Sequence, residues 1–185
     1  LWELVQAYRA LANGGQAGEL LLIRPAQAPE LKLVFSPEAA FLVSDILADR
    51  EARSLTFSLE NPLATRFRSA VKTGTSKDMR DNWCIGYSPR FTVGVWVGNF
   101  TGEPMWDVSG VTGAAPVWLE VMDLLHRPGP SLAAAAPPGL VRGPAGASSA
   151  MREEWYIRGT EPVGAASLRP EAATRIVYPP DGAVF

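Results

Sequence analysis

Apolar residues recur at helical spacing at the start of the chain. Leu1, Leu4, Val5, Tyr8, Leu11 and Ala12 form one stripe, and Asn13-Gly14-Gly15 ends it. Glu19 to Arg24 ("ELLLIR") is an apolar run between Gly18 and Pro25, which predicts a strand. Residues 25–31 read as loop, and "KLVF" at 32–35 as a short extended piece. Ser36-Pro37-Glu38 combines a cap, a proline suited to the first turn and an acid at the positive helix end. It predicts a helix from Pro37 to about Asp49, with Phe41, Leu42, Ile46 and Leu47 on its apolar face. Residues 51–66 show neither period. Alternation then takes over and predicts strands at Phe67–Thr75, Asn82–Tyr87 and Phe91–Asn99. The last two join at Ser88-Pro89-Arg90 as a hairpin. In the third strand Phe91, Val93, Val95 and Val97 share one face. Gly94 and Gly98 lie on the other and predict close approach by another element. Residues 113–127 form a further apolar helix suited to cover the sheet.

Composition changes after Arg127. Residues 128–150 are rich in Pro, Gly and Ala and read as a linker. Residues 151–185 hold "REEWYIRGTEP", a strand-and-turn signal, and then "RIVYPPDGAVF". The chain opens inside a helical pattern without a capping residue and stops inside a strand-like one, so we expect a piece of a longer protein. Truncation would expose apolar surface and favour marginal stability or association.

The chain has 185 residues, 47% hydrophobic, with a formal net charge of -2 and no basic stripe, which argues against a nucleic-acid partner. One cysteine, Cys84, rules out an internal disulfide. It lies in a predicted strand and reads as a small buried hydrophobe. No His/Cys/Asp/Glu cluster has metal-ligand spacing, and nothing points to a cofactor. His126 follows an apolar helix, where a cation is mildly favoured, and reads as structural. Asp78, Asp81, Glu153 and Glu154 read as solvated charges. Trp96, Trp106 and Trp118 read as core or cleft-rim residues.

The candidate chemistry lies in "RSAVKTGTSKDMRDNW", residues 68–83. Penicillin-recognising serine enzymes combine S-x-x-K, S-x-N and K-T-G. Lys72-Thr73-Gly74 matches the last. Its lysine would attract a substrate carboxylate, its glycine would keep the strand surface flat, and the next N–H could help form an oxyanion hole. Ser69 and Lys72 also satisfy S-x-x-K. On a strand, however, residues three apart point to opposite faces, so Ser69 cannot use Lys72 as its base. The chain contains no S-x-N.

The K-T-G-T-S extension, the hairpin "NWCIGYSPRFTVGVWVGN" and "SGVTGAAPVW" together resemble the transpeptidase domain of class A penicillin-binding proteins. "AYRALANGG" and "EWYIRGTEP" also fit. The resemblance implies an α/β (α+β) fold like that of serine β-lactamases, a five-stranded antiparallel sheet flanked by helices. Residues 1–127 would be the C-terminal portion of that domain, and 151–185 the connector and start of a C-terminal β-sandwich module. The implied parent has a membrane anchor and a glycosyltransferase domain fed by lipid II, at the outer face of the bacterial inner membrane. Its transpeptidase attacks D-Ala-D-Ala stem peptides through a serine, and β-lactams acylate that serine. Lys72, Thr73, Gly74, Thr75 and Ser76 would contact substrate or β-lactam. The nucleophile and S-x-N would lie upstream of Leu1, so this chain alone is expected to be inactive. A serine β-lactamase fits the hairpin and C-terminal stretch less well. A non-catalytic envelope protein retaining the K-T-G wall is the other alternative.

Overall fold

The computed structural model describes residues 1–162 except 24–25, 28, 58–60, 130 and 146–148. The expected β-sandwich start after residue 162 lies outside the described residues. The chain divides into two compact units, Leu1–Pro138 and Gly139 onward.

In the first unit, helix α1 (Trp2–Ala12) ends where expected, with Gly14 and Gly15 both at positive φ. Strands β1 (Gln16–Ala17) and β2 (Lys32–Leu33) pair over two residues each. The strand expected at 19–24 does not form over its described residues, and Leu22 is 89% exposed. Side chains of α1 take the local carbonyls instead. Arg9 donates to Gly18 and Glu19 at 2.9 and 3.2 Å, and Gln6 to Gly18 at 3.3 Å. Helix α2 (Pro37–Ala48) follows, with Ser36 Oγ accepting from the Ala39 N–H at 3.1 Å as its cap. Its buried stripe differs from the expected one. Ala40 is fully buried, Ser44 reaches Tyr87, and Ile46 is 70% exposed. A small side chain lets α2 come close to its neighbours, which turns the larger Ile46 outward. Helix α3 (Arg50–Phe57) occupies part of the unassigned stretch.

Strands β3 (Ala70–Thr75), β4 (Asp81–Tyr87) and β5 (Thr92–Gly98) make one antiparallel sheet in the order β3-β4-β5. The register aligns Thr73 with Cys84 and Val95, and Gly74 with Trp83 and Trp96. Alternate residues share a face. One face carries Lys72, Gly74, Ile85 and Gly94 and meets α1, since a Cβ on Gly94 would lie 2.4 Å from Val5. The other carries Val71, Cys84 and Gly86 and meets helix α4 (Ala115–Leu125). Here a Cβ on Gly86 would lie 2.5 Å from Trp118 Cζ2 and 2.8 Å from the Ala70 carbonyl oxygen. The core cluster is Leu63, Val71, Cys84, Ala114, Ala115, Trp118 and Met122. Trp2, Ile46 and Leu124 leave apolar surface exposed on three of the helices.

His126 caps α4. Its Nδ1–H donates to the Met122 carbonyl at 2.8 Å, and Nε2 meets the Ser88 and Ser131 hydroxyls at 3.0 and 2.9 Å. The ring stacks on Phe67 with centroids 3.6 Å apart. It ties the β4–β5 turn to the segment after α4. In the second unit, the stretch expected to be linker carries strand β6 (Leu140–Ala145), which pairs with β7 (Ser149–Ile157). Arg142 lies 4.4 Å over the Trp155 ring within this hairpin.

Cys84 has no exposed surface, and burial pushes its thiol up to about 12, with Arg53 opposing weakly. The unfolded chain releases this proton near the ordinary value of 9.0 and the folded chain does not. The stability so contributed is present below pH 9 and declines as pH rises toward 12. Accordingly, iodoacetamide should label Cys84 only in denaturant, and the urea midpoint should fall across that window. Packing sets a second expectation. Gly86→Ala should cost about 1–3 kcal/mol in urea unfolding through overpacking. Gly74→Ala, whose Cβ would meet nothing closer than Trp83 Cβ at 3.8 Å, should stay within about 0.5 kcal/mol.

Candidate functional site

The K-T-G residues lie on β3, which ends the sheet, so one side of this strand has no β partner among the described residues. Such an edge offers a row of backbone N–H and C=O groups to an extended peptide. Lys72 is exposed, and its Nζ donates to the Thr73 carbonyl. Thr73 and Thr75 lie on the opposite face from Lys72 and Gly74, and Thr75 is also exposed. Gly74 has an ordinary φ, and a Cβ there would meet only the Trp83 side chain at an ordinary contact distance of 3.8 Å, so packing within this chain does not require a glycine there. That freedom contrasts with Gly86 and Gly94, which neighbouring side chains crowd.

Ser69 precedes the strand and is buried. The Thr65 hydroxyl donates to the Phe67 carbonyl at 2.5 Å, so in the 2.9 Å contact between Ser69 and Thr65 the proton comes from Ser69. That commits the Ser69 proton away from Lys72, in agreement with the strand argument.

Ser76 closes the turn after the motif. Its hydroxyl donates to the Asp81 carboxylate at 3.1 Å and accepts from the Asp81 N–H at 2.8 Å, while its own N–H reaches the Asp81 carbonyl at 2.9 Å. Asp81 also accepts from Trp96 Nε1 at 3.0 Å. The expectation that Asp81 is merely solvated is therefore corrected, because it organises the turn. Asp78, by contrast, sits exposed 3.7 Å from Arg80. The turn places both Asp78 and Met79 at positive φ, a strained conformation that the Ser76–Asp81 bonds hold. Asn82, opposite Thr75, is fully buried and donates to the Met79 carbonyl at 3.2 Å.

A segment absent from the residue-level expectation completes the arrangement. Residues Gly110–Ala114 make a π-helical turn leading into α4. Ser109 Oγ accepts from the Thr112 N–H at 3.2 Å, and Thr112 Oγ1 accepts from the Ser109 N–H at 2.8 Å. The S-x-x-T spacing was the available signal for this capping box. From this turn the Gly110 N–H donates to Thr75 Oγ1 at 2.9 Å. Trp106, in the preceding loop, is 90% exposed, while Trp118 is core. An apolar recess at the opposite end of β3, lined by Phe41, Ser44, Ala70 and Tyr87, has its hydroxyls satisfied by each other at 2.7 Å. Among the described residues no group of His, Cys, Asp or Glu could hold a metal ion, and no helix is long and apolar enough to cross a membrane.

A K-T-G edge strand on an antiparallel sheet with helices on both faces places this domain among the penicillin-recognising α/β folds. The family model for the penicillin binding protein transpeptidase domain matches residues 1–122, and the chain belongs to that family. Among curated relatives, penicillin-binding protein 1C of Escherichia coli is 35% identical over 68% of this chain and 16% of its own length. Penicillin-binding protein 2D of Bacillus subtilis is 28% identical over 86% of this chain and 26% of its own length. The chain thus spans a minor part of these relatives. The crystal structure of penicillin-binding protein 1A from Haemophilus influenzae superposes with a TM-score of 0.71 at 20% identity, covering 88% of this chain and 32% of that one. Penicillin-binding protein A of M. tuberculosis, solved as an imipenem acyl-enzyme complex, gives 0.50 at 20% identity, covering 64% of this chain and 29% of that one.

The turn after the motif yields its own test. Ser76→Ala removes the Asp81 N–H's hydroxyl acceptor and a donor to its carboxylate. It should lower unfolding stability by about 1–3 kcal/mol, and amide exchange should accelerate at Asp81.

Proposed function

We propose that this chain is the C-terminal part of a D,D-transpeptidase domain in a bifunctional peptidoglycan synthase, residues 1–127, and that Lys72 to Ser76 form one wall of its acyl-transfer cleft. The observation that carries this reading is the β3 edge, unpartnered among the described residues, with a glycine at 74 that internal packing does not require. A stem peptide ending in D-Ala-D-Ala, or a β-lactam, would lie along that edge. The hydroxyls of Thr73 and Thr75, on one face of β3, would meet its carboxylate, the exposed Lys72 ammonium on the other face would attract it by charge, and the Thr75 N–H would face the carbonyl oxygen as charge develops there. The 35% identity to a penicillin-binding protein 1C and the imipenem acyl-enzyme of a structural neighbour support this assignment.

The acyl-accepting serine, its lysine base and the S-x-N residue belong to sequence outside these 185 residues, because S-x-N is absent and the one S-x-x-K is Ser69 with Lys72. Without that unit the covalent step is lost. The parent would work at the outer face of the bacterial inner membrane, with a glycosyltransferase domain polymerising lipid II and a membrane anchor. Residues 151–185 would lead into a further C-terminal module.

Fluorescent penicillin should leave no covalent, boil-resistant band on this chain; a band would overturn the placement of the nucleophile elsewhere. On the full-length protein the band should form, and Lys72→Ala should slow its formation by about 100-fold or more while the melting temperature holds. An unchanged rate would remove Lys72 from the site.

A further inference from the structure

We infer that Gly110 is a positioning residue for the K-T-G-T strand, setting which way the Thr75 hydroxyl can donate; this rests on the reading of Thr75 as part of a carboxylate site. A hydroxyl has one proton and two acceptor lone pairs. At Thr75 an acceptor position is filled by the Gly110 N–H at 2.9 Å. The side chain is exposed, so its proton remains available to an incoming anion. Accepting one hydrogen bond also polarises the O–H and strengthens it as a donor. Gly110 would touch no ligand; it acts through Thr75.

Only glycine satisfies this geometry. A Cβ at position 110 would lie 2.6 Å from the Gly74 carbonyl oxygen, 2.7 Å from that of Trp83 and 3.1 Å from the Gly74 nitrogen. All three are backbone atoms of paired strands, which cannot swing aside as a flexible side chain would. A side chain would therefore push the turn away from β3 and break the bond to Thr75. The turn is held from its other end. The Ser109–Thr112 capping box fixes its entry, the Gly113 N–H donates to the Ser109 carbonyl at 2.7 Å, and Ala114 and Ala115 are fully buried. The position of α4 in the core is thus transmitted through one turn to one hydroxyl.

The test is a double-mutant cycle in the full-length protein. It reads the second-order acylation rate for a penicillin and for its methyl ester, which lacks the carboxylate. Gly110→Ala should lower the acid rate by about 10-fold or more, the worth of one hydrogen bond to a charged group, and should shrink the acid-to-ester ratio. Thr75→Val should do the same. The double variant should lose little beyond Thr75→Val alone, because both remove one interaction. Tyr87→Phe, which removes the 2.7 Å Ser44–Tyr87 hydrogen bond at the opposite end of β3, should lower stability and leave the acid-to-ester ratio unchanged. Where Gly110→Ala does not fold, Thr112→Val loosens the same turn and should shrink the ratio in the same direction. Equal losses from Gly110→Ala in the wild-type and Thr75→Val backgrounds would overturn the inference, as would an unchanged ratio. If Thr75→Val itself leaves the ratio unchanged, the carboxylate role of Thr75 fails first. Absence of any penicillin band on the full-length protein marks failure of the transpeptidase reading as a whole.

Discussion

Trp118 stands over Gly86 with no exposed surface, and this contact sets how near α4 comes to the sheet. Truncating a buried tryptophan costs about 3–5 kcal/mol, so the helix has little freedom to move away. With α4 fixed, Ala114 and Ala115 fill the core at its first turn, and the π-helical turn ahead of it arrives against the backbone of β3 and β4. The end of the K-T-G strand is thereby held from behind by the core and from below by the Ser76–Asp81 turn.

The open edge of β3 has the opposite character. Its Lys72 and Thr75 side chains are exposed, and its glycine meets no crowding. A strand held on one side and, among the described residues, unpaired on the other would present an already ordered edge to a peptide backbone. An isolated exposed edge is otherwise a liability for self-association, and here exposed Trp2, Ile46 and Leu124 add to it.

Much of this was legible in the residues. The cap at Ser36, the three alternating strands and the close approach at Gly94 all follow from short-range chemistry or from a strict period of two, and the structure has each of them. The strand expected at 19–24 does not form among the described residues; Arg9 takes the Glu19 carbonyl at its start, and Arg9 and Gln6 the Gly18 carbonyl just before it. Ile46 turned outward because Ala40, with the smaller side chain, permits the closer helix contact. Strand β6 was hidden by proline and glycine, whose composition reads as linker until a pairing partner is known.

The amino-acid sequence by itself determined helices α1, α2 and α4, the three strands β3 to β5, and that Ser69 and Lys72 cannot act together. Those conclusions rest on periodicity, which is a local property of the chain. Only the tertiary structure decided that Asp81 ties the turn, that residue 110 must be glycine and that its N–H seats Thr75. Residues 75 and 110 lie 35 positions apart, and no local pattern encodes the distance between two backbones that meet through a packed tryptophan.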